Sequence, residues 1–228
     1  MSYSNTAVII PTLNEEKNIG RLIDVLNGLY KGIKIFVVDD GSIDKTKDVV
    51  RNKKVKLIDR SKEKIKGLTI SVIDGIKLVN RENVIVMDAD FQHPPEVVGD
   101  IIKALEHNDI VVASRKGLPE NWPLSRKIIS FIAISIGRVR LLMEKCRIKD
   151  VASGYFGVKT QLMKKVLAKS GNKFEGEGYK ILFDLLKYYP KDTKISEVYY
   201  RFGLRERGSS KMNKKHLMIY FKSLFKTI

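Results

Sequence analysis

The sequence predicts an α/β fold built on a mostly parallel sheet. Short apolar runs of strand length recur along the first half of the chain, and stretches with apolar residues at helical spacing separate them. Two of these runs end in carboxylates, Asp39-Asp40 and Asp88/Asp90. In an open α/β sheet ligands bind at the carboxyl ends of the strands, so the same pattern also places a site.

The elements follow in order. Residues 7–11 (AVIIP) read as a strand. A helix follows, with Asn14 as its cap and Ile19, Leu22, Ile23 and Leu26 on one face. Residues 33–40 (IKIFVVDD) and 55–59 (VKLID) are the second and third strands. Residues 67–78 are helical, with Ile70, Ile73 and Ile76 around the turns. Residues 83–88 (NVIVMD) form the next strand, 96–105 a helix and 109–115 (DIVVASR) another strand. The second half is less regular. Residues 123–143 are rich in Ile and Leu, broken by Arg126, Lys127 and Arg138. Residues 151–159 and 194–202 read as strands, with a helix over EGYKILFDLLKYY between them. In the tail, 213–228, Leu217, Met218, Phe221, Leu224, Phe225 and Ile228 recur at helical spacing among Lys214, Lys215, Lys222 and Lys226. That is a basic amphipathic helix, set apart from a globular domain over 1–212.

Charge narrows the partners. The chain carries 43 Lys+Arg against 26 Asp+Glu, a net +17, which favours an anionic partner. A hydrophobic content of 43% allows a sizeable core. A single cysteine, Cys146, excludes an intramolecular disulfide and fits a reducing compartment. No signal peptide is visible, and the longest uncharged apolar run, 128–137, is about half the ~20 residues a spanning helix needs. The expectation is a protein that is soluble or lies on a membrane surface.

In extended chain Asp88, Asp90 and Gln92 project to one side, because side chains alternate with period two. Converging oxygen donors suit a hard cation such as Mg²⁺ or Mn²⁺. The competing reading is that these carboxylates cap turns and helices, since DDGSIDKT and HPPEVV both look like helix starts. The P-loop pattern, G-x-G-x-x-G, HExxH and any Cys/His cluster are missing, which argues against a P-loop enzyme, a dinucleotide dehydrogenase and a zinc site. His107 and His216 read as surface residues, and His93 lies near the site only by position. Arg115, Arg126, Arg201, Arg205 and Arg207, with Lys211, are suited to bidentate phosphate recognition or to a solvated basic surface. Gly203 and Gly208 suggest a flexible loop around Arg205 and Arg207.

In their order, IIPTLNEEKNIGRLI, VVDDGSIDKT, KGLTISVIDGI, VMDADFQHPPEV, ASRKG, NWPLSRKIIS, VASGYFGVK, EGYKILFDLL and RERGSSKM resemble the family-2 glycosyltransferases of GT-A fold, in their polyprenyl-phosphate (dolichol-phosphate mannose synthase) branch. The resemblance implies a Rossmann-like GT-A domain with interfacial amphipathic helices. It implies inverting, metal-dependent transfer of mannose from GDP-mannose to dolichyl or another polyprenyl phosphate. Pro11, Leu13, Glu15, Val38, Asp40, Lys66 and Asp88 would hold the nucleotide sugar, together with Asp90, Gln92, Arg205 and Lys211. Asp90 and Gln92 would hold Mg²⁺ or Mn²⁺, Arg115, Arg126 and Ser130 would meet the acceptor phosphate, and Asp90, Arg115, Arg126 and Arg205 would carry catalysis. Leu13 stands where Tyr is common in the family, and Ser71 where a small apolar residue is usual. A lipid acceptor implies a peripheral enzyme on the cytoplasmic face of a membrane, touching it through 128–143 and the tail, with or without a separate membrane subunit. The alternatives are a UDP-glucose or other nucleotide-sugar donor, a protein or polysaccharide acceptor, and a basic nucleic-acid-binding protein. The last lacks any RRM, OB or helix-turn-helix signature.

Overall fold

A computed structural model describes residues 3–117, 123–144, 146–203 and 219, with only the backbone at Ser125 and Arg126. Among these residues seven strands form one sheet: β1 (Thr6–Thr12), β2 (Lys34–Asp39), β3 (Lys56–Asp59), β4 (Asn83–Val86), β5 (Ile110–Arg115), β6 (Phe156–Lys159) and β7 (Ile195–Tyr200). The helices are α1 (Ile19–Leu29), α2 (Thr46–Arg51), α3 (Leu68–Leu78), α4 (Val97–Leu105), α5 (Leu124–Leu142), α6 (Thr160–Ser170) and α7 (Ile181–Tyr188).

The strand order is β3-β2-β1-β4-β6-β5-β7. All neighbours are parallel except β6, which runs antiparallel to both β4 and β5. The chain builds outward from β1 through β2 to β3, then returns to place β4 on the other side of β1. That reversal opens a crevice beyond the carboxyl ends of β1 and β4. Strand alternation divides the core into two layers. Ile9, Val38, Val84, Val86 and Phe156 face α3, α6 and α7, while Val8, Ile10, Val37, Ile85 and Val111 face α1 and α4.

Three local expectations change. The first helix starts at Ile19, not beside Asn14. Asn14 has φ +54° and belongs to the preceding loop, where its Oδ1 accepts from Ile43 N at 2.9 Å. Residues 151–155 are not strand: Ser153 Oγ donates to Ala113 O (2.7 Å) and accepts from Tyr155 N (3.1 Å), which curls the segment before β6 begins. Finally, α6 went unread in the sequence. Its buried residues, Thr160, Met163, Val166 and Ser170, form a narrow stripe among lysines. Gly208, His216, the expected boundary at 212/213 and the tail apart from Ile219 lie outside the described residues.

Candidate functional site

The expected nucleotide side is built where β1 and β2 end. Pro11 pairs in register with Val38, and Thr12 with Asp39. Asp39 is fully buried and accepts from Ser42 N (2.8 Å), Ser42 Oγ (2.5 Å) and Thr12 Oγ1 (3.1 Å). It is the knot that shapes the loop, and Asp40 beside it turns the other way. Asp40 Oδ2 accepts from Gly67 N at 2.7 Å, and Oδ1 pairs with Arg60. Gly67 is required here: its φ is +147°, and a Cβ would stand 2.7 Å from Gly176 O. Lys66 donates to the Arg60 carbonyl. Leu13 is partly exposed, and Glu15 N donates to Thr46 Oγ1 (2.8 Å) while its Oε2 accepts from Asn18 Nδ2 (2.9 Å).

Arg60 escaped the sequence reading because DRSKEK looks like a solvated charged loop. It is 2% exposed, and its fork is shared among Asp40, Asp74 Oδ2 (2.8 Å), Ser71 Oγ (3.2 Å) and Ile65 O (2.9 Å). Ser71, the departure from the family pattern, is thus a hydrogen-bond partner of Arg60.

The expected metal side is a loop rather than a strand end. The strand β4 stops at Val86, and Phe91 adopts φ +62° under the guanidinium of Arg21, 4.6 Å from the ring centroid. Alternation in an extended chain is therefore not what brings Asp88, Asp90 and Gln92 to the crevice. A left-handed turn does so, held by hydrogen bonds. Gln92 N donates to Asp90 Oδ1 (3.1 Å), Gln92 Nε2 to Gly203 O (3.4 Å), and Gly203 N to Gln92 O (3.1 Å). Gly203 is there because the backbones nearly touch, with a Cβ only 2.8 Å from Phe91 O, and not for flexibility.

His93 is part of this loop. It is buried, stacks on Tyr155 with centroids 4.8 Å apart, and accepts the Asp88 N–H at Nδ1 (3.0 Å). That bond leaves the ring proton on Nε2. Burial lowers the His93 pKa to about 4, so the ring is neutral and its 3.7 Å approach to Asp88 Oδ2 is not an ion pair.

The oxygen donors fit a hard cation. Asp90 is buried and Asp88 half-exposed, and Gln92 adds an amide oxygen. Among the described residues no three His, Cys, Asp or Glu side chains form a closed metal cage. An open set that leaves positions for diphosphate oxygens is what Mg²⁺ and Mn²⁺ accept.

On the far side of the crevice Arg115, at the end of β5, is gripped by Asp150. Arg115 Nε donates to Oδ2 (2.6 Å) and Nη2 to Oδ1 (2.8 Å), while the guanidinium lies 5.5 Å from the Phe202 ring centroid. Burial works to raise the Asp150 pKa, but the two Arg115 bonds outweigh it and hold the carboxyl below its ordinary range. Lys180 stands beside them. Burial, then repulsion from Arg115, lowers its pKa to about 8, against attraction from Asp150 and Asp88.

Sequence comparison gives the lineage of this arrangement of oxygen donors and an arginine. The family model for glycosyl transferase family 2 matches residues 7–167. The chain belongs to that family. Family members of known name agree over nearly the whole chain. A dolichol-phosphate mannosyltransferase of Pyrococcus furiosus is 38% identical over 96% of this chain, which spans 62% of that relative's length. A dolichol-phosphate mannosyltransferase of Mycosarcoma maydis is 31% identical over 98% of this chain and 79% of its own. Among solved structures, glucosyl-3-phosphoglycerate synthase from Mycobacterium tuberculosis, crystallised with Mn²⁺, UDP and glucosyl-3-phosphoglycerate, superposes with a TM-score of 0.69 at 18% identity. That match covers 96% of this chain and 77% of the other. The expected GT-A fold is borne out.

For this family-2 chain the fold brings Pro11, Leu13, Glu15, Val38, Asp40 and Lys66 to one end of the crevice, Asp88, Asp90 and Gln92 to its centre, and Arg115 to the other wall. Ser130 lies half-buried on α5. The Arg126 side chain, Arg205, Arg207 and Lys211 lie outside the described residues. The helix α5 is unusual. Its inward stripe is Ala133, Gly137 and Leu141, whereas Phe131 (67% exposed), Val139 (66%) and Met143 just beyond it (78%) face outward. No helix among the described residues is long and apolar enough to cross a membrane.

Proposed function

We propose that this chain transfers mannose from GDP-mannose to dolichyl or a related polyprenyl phosphate, with inversion at the anomeric carbon. The observation that carries the reading is the agreement with dolichol-phosphate mannosyltransferases over 96% and 98% of the chain. In the reaction an acceptor phosphate oxygen attacks the sugar C1 from the side opposite the diphosphate. The C1–O bond breaks, and its electron pair leaves with the nucleoside diphosphate. The acceptor is already an anion, so no strong general base is needed, and catalysis reduces to positioning and charge. The nucleotide lies along Pro11, Leu13, Glu15, Val38, Asp40 and Lys66, with Asp88 at the sugar. Asp90 and Gln92 hold Mg²⁺ or Mn²⁺, which when bound offsets the charge building on the diphosphate. Arg115, Arg126 and Ser130 receive the acceptor phosphate, and Arg205 and Lys211 cover the donor phosphates.

A lipid acceptor places the enzyme at a bilayer surface, on its cytoplasmic face, with or without a separate membrane subunit. The outward apolar side chains of α5 support that placement: Phe131, Val139, Leu142 and Met143 are exposed. The basic tail adds attraction to anionic headgroups. A donor panel tests the reading. The protein is incubated with Mn²⁺, a short-chain dolichyl phosphate and GDP-mannose, UDP-glucose or UDP-GlcNAc, and the lipid is analysed by mass spectrometry. Mannosyl lipid from GDP-mannose is expected. Product from a UDP-sugar alone would replace the donor and keep the acceptor.

A further inference from the structure

Residues 150–154 (DVASG) carry three parts of the crevice at once. Asp150 grips Arg115 bidentately. The Ala152 carbonyl accepts from Lys180 Nζ at 2.5 Å. Gly154 lies against Asp88, whose Oδ2 would be 3.7 Å from a Cβ at that position. Ser153 Oγ fastens the segment to β5 through Ala113 O, so the mounting is rigid. Arg115 and Lys180 are therefore tied to one five-residue segment, and Asp88 lies against its end.

The sequence reading gave Lys180 no role beyond a helix position. An ammonium has three N–H donors. Lys180 spends one on Ala152 O, and the remaining donors meet no hydrogen-bond partner among the described residues. The side chain is half-buried and close enough to Arg115 to be repelled by it. Asp150 pairs directly with Arg115 alone, so the two cations keep a positive field toward the crevice that a further anion would offset.

We propose that Lys180 is an anion-binding residue of this site, receiving the acceptor phosphate together with Arg115. The inference rests on the transferase reading for the identity of that anion. Its chemistry is direct: a phosphate approaching Asp88, Asp90 and a diphosphate meets a wall of negative charge, and the two cations offset it on the acceptor's side. Asp150 serves as the positioning residue, fixing the Nε and Nη2 edge of Arg115.

The test compares wild type, Lys180→Met and Lys180→Arg in two measurements. In steady-state transfer, Lys180→Met is expected to raise KM for dolichyl phosphate about tenfold to a hundredfold, the size of a lost charge-assisted hydrogen bond. KM for GDP-mannose stays within about twofold, and Lys180→Arg recovers part of the loss. In calorimetric titration with farnesyl phosphate, wild type binds and Lys180→Met binds weakly, while farnesol distinguishes neither. An unchanged acceptor KM and unchanged farnesyl phosphate binding in Lys180→Met overturn the proposal. So does a variant in which both KM values rise together and the melting temperature falls, because Lys180 would then be a structural pin for the 150–154 segment. A wild type that binds farnesyl phosphate through Lys180 but transfers no sugar to any lipid phosphate would keep the anion site and sink the transferase reading.

Discussion

Replacing Lys180 by Met should stabilise the protein near neutral pH. Burial and Arg115 lower the Lys180 pKa from 10.5 to about 8, so the folded state resists a charge that the unfolded chain accepts freely. A shift of roughly 2.5 units at about 1.4 kcal/mol per unit costs on the order of 3 kcal/mol at pH 7. Losing the hydrogen bond to Ala152 O returns about 1 kcal/mol of that, leaving a net gain of ~2 kcal/mol for the variant. The sign with pH is fixed. Between about 8 and 10.5 the unfolded chain binds more protons than the folded one, so wild-type stability from this group rises with pH across that window. At pH 9.5 roughly 2 kcal/mol of the penalty has gone, and the advantage of the variant falls to near zero. Urea unfolding of both proteins at pH 7 and pH 9.5 reads this directly. A variant less stable at pH 7, or an advantage that does not shrink at pH 9.5, would refute the view of Lys180 as a cation held against its own solvation. Such a cation is retained at a cost in stability because a ligand needs it.

Three further outcomes are expected. Arg60→Met strands Asp40 and half of Asp74 without their partner, so it should lower stability by about 3–5 kcal/mol in urea unfolding and weaken nucleotide binding. Gly157→Ala puts a Cβ 2.9 Å from Leu105 Cδ1 and closer still to Ile101 Cγ2, in mid-sheet, and should lower Tm by an amount equivalent to about 1–3 kcal/mol. Phe131→Asp with Val139→Asp leaves the fold intact, because both side chains face outward, but should reduce co-sedimentation with anionic vesicles severalfold; unchanged sedimentation would remove α5 from the membrane contact.

Much of this molecule could be read in advance because strands buried on both faces announce themselves. The runs ending at Thr12, Asp39 and Val86 are mostly Val and Ile, and carboxylates at or just after the ends of two of them mark where the sheet gives way to a site. What escaped has physical reasons. Side-chain alternation predicts extended chain through Asp88, Asp90 and Gln92, and Phe91 breaks that course with a positive φ that no local motif in DADFQ signals. Arg60, His93 and Lys180 are polar residues whose role comes from neighbours distant in sequence: Asp74 and Ser71 for the first, Tyr155 for the second, Ala152 for the third. Spacing along the chain cannot show such pairings. The helix α6 was missed because lysines fill the faces that do not touch the sheet.

The central claim is transfer to a lipid phosphate. It is tested most directly by mass spectrometry of dolichyl phosphate incubated with GDP-mannose, Mn²⁺ and either wild type or Asp90→Ala, with dolichol itself as the control acceptor. The account predicts a mannosyl phospholipid from wild type only, abolished by EDTA and never formed on dolichol. Mannosyl transfer that survives Asp90→Ala, or that proceeds equally on the alcohol, would contradict it.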